Sequence, residues 1–206
     1  MTYLDYDVWL TRPTRRKTPS ITITSDNEML GKLYSQQRRV FLYNLPISEY
    51  VFEFFQYDQS ERQTLLAFFD SMKGRYGKFW LPSFKQDVSL TQASGGGEEI
   101  LYIQNINFTY IYYGDGYPKH LLIRLPSSDF GCVVYGSDIV DADTEELYIS
   151  PVLPEALATT KEINFLSLVR FNQDELLFTQ LEGNSSTCNI KFLEVINEYP
   201  EEWIPI

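Results

Sequence analysis

The clearest pattern of apolar and polar positions lies in residues 60–87, and its first half predicts a helix. Apolar side chains recur there at the spacing of one helix face, namely Leu65, Leu66, Phe68, Phe69 and Met72. Ser60 is the predicted N-cap, and Gln63 follows three positions later, as a capping box requires. We therefore predict one amphipathic helix over about residues 60–73. A lone helix of this length is marginally stable, so its apolar face must dock on other structure, which we expect to be a sheet.

A turn bounded by glycines follows the predicted helix. Gly74 stands where a left-handed residue commonly ends a helix, and Gly77 adds a second break after Arg75. We assign these three residues a role in structure and assembly, because their turn directs the chain into an extended segment.

Residues 78–84 form the most unusual segment of the chain, KFWLPSF, which combines three aromatic rings with a proline. In the preferred interpretation this segment, which includes Trp80, Pro82 and Phe84, is an aromatic plug that holds the helix on the sheet. The apolar helix face directly upstream requires such packing. In the alternative interpretation Trp80 and Phe84 form a stacking platform for a sugar or a base.

The rest of the chain shows the alternation and turn chemistry of short strands. The strand-like runs are residues 3–9, 21–24, 38–45, 49–57, 100–113, 120–125, 130–135, 139–140, 147–150, 162–171, 175–181 and 188–195. The run over residues 49–57 is apolar on much of both faces, so we expect a central strand. Many short strands separated by turns predict a mainly β fold, a β-sandwich or barrel with one flanking amphipathic helix.

The pattern predicts three parts of the chain. Residues 1–19 are expected to be an extended N-terminal arm, in which Trp9 argues against full disorder once the protein is assembled. Residues 20–196 are expected to form a single β-rich domain, and residues 197–206 an acidic C-terminal tail.

The charge of the chain limits its partners. A net charge of −11 disfavours binding to nucleic acid, because phosphates are neutralised by Lys and Arg. Basic residues concentrate in the arm at Arg15 and Arg16, and acidic residues crowd residues 138–146 and 194–202. Both groups are most simply solvated surface. The sharper hypothesis is that they attract each other across neighbouring copies of the chain.

The titratable residues form no recognisable catalytic set. The single histidine, His120, is interpreted as a strand-edge residue, since a general base needs a positioned partner. The acidic cluster consists of Asp138, Asp141, Asp143, Glu145 and Glu146. It lacks the spacing of a regular cation-binding loop, so a solvated turn is favoured over a metal site. We predict that the chain is not an enzyme and holds neither a metal nor a cofactor.

Two further observations concern the compartment. Cys132 and Cys188 each lie in a strand-like run, and we expect buried, reduced thiols. The first residues lack the long apolar run of a secretory signal, and the sequence holds no apolar stretch long enough to cross a membrane.

The segment GRYGKFWLPSFKQD, residues 74–87, resembles a signature of tail-tip and baseplate proteins of long-tailed bacteriophages. In these proteins a helix ending in a Lys-Gly-Arg turn runs into Phe-Trp-Leu-Pro-Ser and an Asp. Residues 164–176 and the acidic end after Val195 also resemble the closing part of such proteins. The resemblance implies a β-sandwich or barrel core with a flanking helix, assembled as rings around a lumen, and it brings no catalytic residues.

The expected function is that of a virion structural protein of the tail tip or distal tail, made in the cytoplasm of a host bacterium. Its copies would form a ring that joins the tail tube to the baseplate hub or fibres. Its partners would be itself and other tail proteins, with DNA passing through the lumen without specific binding. One alternative is a module that binds a host-surface glycan or protein, and a further alternative is a cell-wall hydrolase.

Overall fold

The structure is a computed structural model that describes residues 1–14, 20–24, 47–113 and 119–195. Of the described residues, 47% lie in strands and 11% in helices, so the fold is mainly β, which confirms the predicted fold class. Three predicted features lie wholly or mostly outside the described residues: the strand over residues 38–45, the arginines of the arm and the acidic tail.

In chain order the elements are β1 (Thr2–Tyr3), β2 (Tyr6–Asp7), β3 (Ser20–Thr24), β4 (Ile47–Gln56), α1 (Gln59–Ser71), β5 (Lys78–Pro82), β6 (Ile100–Gln104), β7 (Lys119–Arg124), β8 (Asp129–Ile139), β9 (Thr144–Ser150), β10 (Ile163–Phe171), β11 (Phe178–Gln180) and β12 (Ser186–Glu194). One π-helical turn, Thr109–Tyr113, follows β6. In the described part of the chain, α1 is the only helix of seven or more residues, as predicted.

The chain divides into two compact units. Unit 1 comprises Met1–Leu10 and Trp80–Ser167, and unit 2 comprises the described residues within Thr11–Phe79 and Leu168–Tyr199. The strands β5 and β10 each begin in one unit and end in the other. The predicted boundaries at residues 19 and 196 fall at segments that the structure does not describe, so they stay predictions.

Unit 1 contains a closed barrel. Its strands follow the order β6–β9–β8–β7–β10, and all of these pairs are antiparallel. A short extended stretch closes the circuit, because Val88 bridges Ile163 of β10 while Leu90 bridges Ile103 of β6. Closure leaves no open sheet edge in this part of the molecule.

The inward side chains of the barrel strands form one apolar core. Its buried members are Val88, Leu90, Leu101, Ile103, Phe108, Leu121, Ile123, Leu125, Cys132, Val134, Leu147, Ile149, Leu153, Leu157 and Ile163. The strands predicted at residues 130–135 and 139–140 are one strand, β8, with a register shift between Val134 and Gly136. A bulge of this kind breaks the period-2 pattern in the sequence without ending the strand.

The strand predicted over residues 100–113 is wrong in its second half. β6 ends at Gln104, because Asn105 and Asn107 form a local turn in which the Asn105 Oδ1 accepts from the Asn107 N–H at 2.9 Å. Asn107 adopts a φ of 58°, a conformation that asparagine tolerates better than most residues. The apolar residues after it therefore form the π-helical turn.

Unit 2 is a sheet with the helix docked on it. Its strands follow the order β3–β4–β12–β10, with β11 paired to β12. The prediction that residues 49–57 form a central strand is confirmed, because β4 lies between β3 and β12.

The N-cap of the helix lies two residues earlier than predicted. The N-cap is Asp58, whose carboxylate accepts from the Glu61 N–H at 2.9 Å, and the Glu61 carboxylate accepts from the Tyr57 N–H at 2.7 Å. This pair satisfies two backbone donors at the helix start. The predicted cap, Ser60, and its predicted partner, Gln63, are exposed on the helix surface instead.

The apolar face of the helix packs on aromatic side chains of the sheet. Leu65 and Phe69 are buried, and the Phe69 ring meets the Phe171 ring edge-on at 4.8 Å. The Phe68 ring meets the Phe79 ring edge-on at 5.1 Å. Of the predicted face, Leu66 is 37% exposed and takes no part in this core.

Both cysteines are buried and free, as predicted. Cys132 lies in β8 of unit 1, and Cys188 lies in β12 of unit 2. Burial raises the pKa of the Cys188 thiol to about 11, and it also raises the pKa of the Cys132 thiol. Both thiols therefore stay protonated at neutral pH.

Candidate assembly surface

The turn after the helix has the geometry that its glycines predict. Gly74 has a φ of +62°, and its N–H donates to the Phe69 carbonyl at 3.1 Å. A Cβ at Gly77 would lie 2.6 Å from the Met72 carbonyl oxygen, so only glycine fits there. Arg75 forms an exposed ion pair with Asp174 at 3.2 Å, and such pairs contribute little stability.

The aromatic segment is a core element of the protein. Phe79, Trp80, Leu81 and Pro82 are all buried, and Trp80 is 0% exposed. Within this segment, Phe79 supplies the ring that packs on the helix, against Phe68. Complete burial leaves Trp80 no face on which a sugar or base could stack.

A hydrogen-bonded corner follows the aromatic segment. The Ser83 hydroxyl donates to the Asp87 carboxylate, which also accepts from the Phe165 N–H at 2.8 Å. Phe84 lies inside this corner, half-buried and with a φ of 58°. Burial raises the pKa of Asp87, although its hydrogen bonds to Ser83 and Phe165 act in the opposite direction. The Ser and Asp of the segment thus hold the chain as it leaves β5.

The first ten residues are packed into unit 1. Tyr3, Val8 and Trp9 are buried, and the Trp9 N–H donates to the Trp80 carbonyl at 2.8 Å. A Cβ atom added to Gly131 would lie 2.6 Å from a carbon of the Tyr3 ring, so the ring occupies space that only a glycine leaves open. The first half of the predicted arm is therefore part of the fold in a single chain.

A polar network anchors this N-terminal segment. The Trp80 indole N–H donates to the Tyr3 carbonyl at 2.8 Å, and a 2.9 Å hydrogen bond joins the Tyr3 hydroxyl to His120 Nδ1. The His120 ring also packs on Trp80, with 4.5 Å between ring centroids. His120 was expected at a strand edge. It is buried in β7 instead, because β7 pairs with both β8 and β10.

Burial lowers the pKa of His120 to about 3, and the neighbouring charge of Lys119 acts in the same direction. In the unfolded chain His120 binds a proton near pH 6.5, whereas in the folded chain it does not. The contribution of the neutral His120 to the free energy of unfolding is therefore present above pH 6.5 and is lost as the pH falls toward 3. We expect unfolding by urea to show a loss of about 2 kcal/mol between pH 7 and pH 5 from this group. The variant His120→Gln should lack that part of the pH dependence. Identical pH dependence in the variant and the parent would contradict the assignment.

Large apolar side chains are exposed after β6 and at the end of β8. Tyr110 and Ile111 follow the β6 end, and they are 71% and 54% exposed. Ile139 and Val140 lie at the end of β8, and they are 41% and 50% exposed. We call these four residues, together with the neighbouring Asp138, Asp141 and Asp143, the tip surface.

Hydrogen bonds connect the two halves of the tip surface. The Glu145 carboxylate, fully buried, accepts from the N–H groups of Ile106, Phe108 and Thr109 at 2.9 to 3.2 Å. The Thr109 and Ser137 hydroxyls are 2.7 Å apart. Glu145 is the register partner of Ile139, so the residues before Tyr110 are fixed to the same hairpin that carries Ile139. One acidic residue of the predicted solvated cluster is therefore a buried anchor.

We expect Glu145→Gln to lower the free energy of unfolding by about 2 kcal/mol, because a charged acceptor of three backbone donors is replaced by a weaker neutral one. Asp143→Asn is the matched control, since the Asp143 side chain is exposed, and its effect should stay within about 0.5 kcal/mol. Urea titration of both variants at pH 7 provides the measurement. Equal effects of the two changes would show that the three hydrogen bonds add no stability.

The structure gives the surroundings of only part of the predicted assembly set. Trp9, Trp80 and Pro82 are buried packing residues within one chain, while Arg15 and Arg16 lie outside the described residues. The aspartates of the tip surface were predicted to be a solvated turn, but its four apolar residues were missed, because they were assigned to strands. The two asparagines before it were the sequence signal that could have revealed the turn.

Metal sites and membrane-spanning helices were sought among the described residues as other functional features. Within the described ranges, no group of three or more His, Cys, Asp and Glu residues is arranged to hold a metal ion. No helix in the described chain is long and apolar enough to cross a bilayer.

No family model matches the sequence, and no curated protein matches it either. A functional assignment therefore depends on the residues themselves.

Proposed function

We propose that the chain is a virion structural protein of the tail tip or distal tail of a long-tailed bacteriophage. Its copies would form a ring between the tail tube and the baseplate hub or fibres. The observation that carries this proposal is the segment of residues 74–87, which resembles the signature of such proteins. Within this segment Phe79 and Trp80 are core residues, and Ser83 with Asp87 forms a hydrogen-bonded corner, which suits a structural module.

The chemistry of the described residues favours a structural role over the alternatives. His120 is buried with a pKa of about 3, which is poorly suited to general-base work near neutral pH. Trp80 is fully buried, which removes the main residue of the proposed stacking platform. The Glu145 carboxylate accepts hydrogen bonds from backbone N–H groups, so it is not free to act as one of the two carboxylates that a hydrolase would use.

The charge of the chain suits a ring around passing DNA. Residues 86–118 and 125–160, which supply most of the barrel unit, contain acidic residues but neither Lys nor Arg. An acidic wall repels phosphates, so DNA would pass through the lumen without being held. The proposed partners are other copies of the chain and neighbouring tail proteins, with no metal or cofactor. The proposed location is the virion, after synthesis in the host cytoplasm.

Quantitative mass spectrometry of purified virions tests this proposal. The chain should be present in a fixed ratio to the other tail proteins, and antibodies against it should label one end of the tail in electron micrographs. Absence from gradient-purified virions, with the chain found only in the host lysate, would refute a structural role in the particle.

A further inference from the structure

From the tip surface we infer the contact that joins one copy to the next. The tip surface binds the basic segment of residues 11–17 of a second copy of this chain. This inference rests on the proposed ring and deepens it, because it names both sides of the contact between subunits.

The first support is the separation of charge along the chain. The segment TRPTRRK, residues 11–17, carries four basic residues and no acidic one. The tip surface carries Asp138, Asp141 and Asp143, all exposed, in a part of the sequence without Lys or Arg. Opposite charges at this density steer two copies toward each other and set the orientation of the contact.

The second support is the apolar part of the tip surface. Four large apolar side chains of the tip surface are exposed, and three exposed aspartates are neighbours of Ile139 and Val140 in the sequence. Protein interfaces combine large apolar and aromatic side chains with polar ones. The exposed ring of Tyr110 can also accept the planar guanidinium group of an arginine on its face.

The third support is that the tip surface is fixed in shape. Buried Glu145 holds the loop that leads to Tyr110, and the Asn105 amide donates to the Ala142 carbonyl at 3.1 Å. Ordering these residues before binding reduces the entropy lost in the contact. Because the segment and the tip surface are different parts of the chain, the contact is head-to-tail, and repetition around an axis closes a ring.

Charge exchange tests this inference in the full-length chain. Asp138→Lys with Val140→Lys and Asp143→Lys makes the tip surface basic, and none of these three side chains takes part in a hydrogen bond that supports the turn. Arg15→Glu with Arg16→Glu and Lys17→Glu makes the segment acidic. Sedimentation velocity at low and high salt, over a range of protein concentrations, measures self-association of each chain.

The parent chain should self-associate at 50 mM NaCl, and association should weaken at least tenfold at 500 mM NaCl because screening reduces the attraction. Each variant alone should associate at least tenfold more weakly than the parent. An equimolar mixture of the two variants should regain association, because every contact in it again joins opposite charges. The matched control, Val152→Lys with Glu175→Lys and Glu182→Lys, makes the same charge change at exposed positions outside the tip surface and should associate like the parent.

Two results would overturn this inference. A parent chain that stays monomeric at every concentration would exclude the contact, and so would tip-surface variants that associate like the parent. Neither result bears on the presence of the chain in the virion, which mass spectrometry decides separately. Conversely, absence from virions combined with rescue in the mixture would refute the tail function and leave the contact intact.

Discussion

A chain that lacks residues 1–10 is expected to lose more than about 5 kcal/mol of unfolding free energy, because the truncation removes several buried side chains at once. Tyr3, Val8 and Trp9 are all buried in unit 1, and Trp80 loses the hydrogen-bond acceptor of its indole N–H. The truncated chain should also expose His120 to solvent. Since many domains have 5–15 kcal/mol of stability in total, unit 1 would then be only marginally folded.

A second variant separates packing from chain length. Gly131→Val retains all ten residues but places a side chain where the Tyr3 ring lies, so it should displace the N-terminal segment. Hydrogen exchange followed by mass spectrometry should show the same loss of protection in unit 1 for both variants. Full protection of β7 and β8 in the truncated chain would mean that residues 1–10 are an arm outside the folded domain, as the sequence alone predicted.

Trp80→Ala is expected to lower the free energy of unfolding by about 3–5 kcal/mol, the range for a large aromatic removed from a core. Trp80 is completely buried, packs on the rings of Tyr3 and His120, and donates a hydrogen bond to the Tyr3 carbonyl. The alanine variant leaves that carbonyl without its donor as well as leaving a cavity. Urea titration with a fluorescence probe in unit 2 avoids dependence on the missing indole.

Tyr110→Ala is the control for Trp80→Ala, because it also removes an aromatic ring but from a site that is 71% exposed. Its effect on stability should lie within about 0.5 kcal/mol. Equal destabilisation by the two changes would contradict the packing role of Trp80. An unchanged melting temperature in Trp80→Ala with loss of binding to isolated glycans would favour the binding-module alternative.

The elements that local patterns define were predictable from the sequence. The helix follows from the spacing of Leu65 and Phe69, and its end follows from Gly74, which has the expected left-handed conformation. The central position of β4 follows from its apolar content on both faces. These features depend on residues within a few positions of each other, so no tertiary information is needed to read them.

The features that depend on distant residues were not predictable. Closure of the barrel rests on two isolated bridges of Val88 and Leu90, each with a strand far along the chain. The burial of His120 rests on Tyr3, which is 117 residues away. The apolar part of the tip surface was not predicted, because the run of Ile and Tyr after β6 has the composition of a strand. The hydrogen bonds from the Phe108 and Thr109 N–H groups to the distant Glu145 carboxylate hold this run in a turn instead.

The positions of the two cysteines provide an intrinsic kinetic readout. Because each compact unit contains one buried thiol, a reagent that modifies only exposed thiols reports the opening rate of each unit separately, without any introduced label. Modification of Cys132 follows transient opening of the barrel, and modification of Cys188 follows opening of the helix-bearing sheet. Mass spectrometry of the two cysteine peptides over time would therefore show which unit opens faster. It would also show whether assembly slows the opening of one unit more than that of the other.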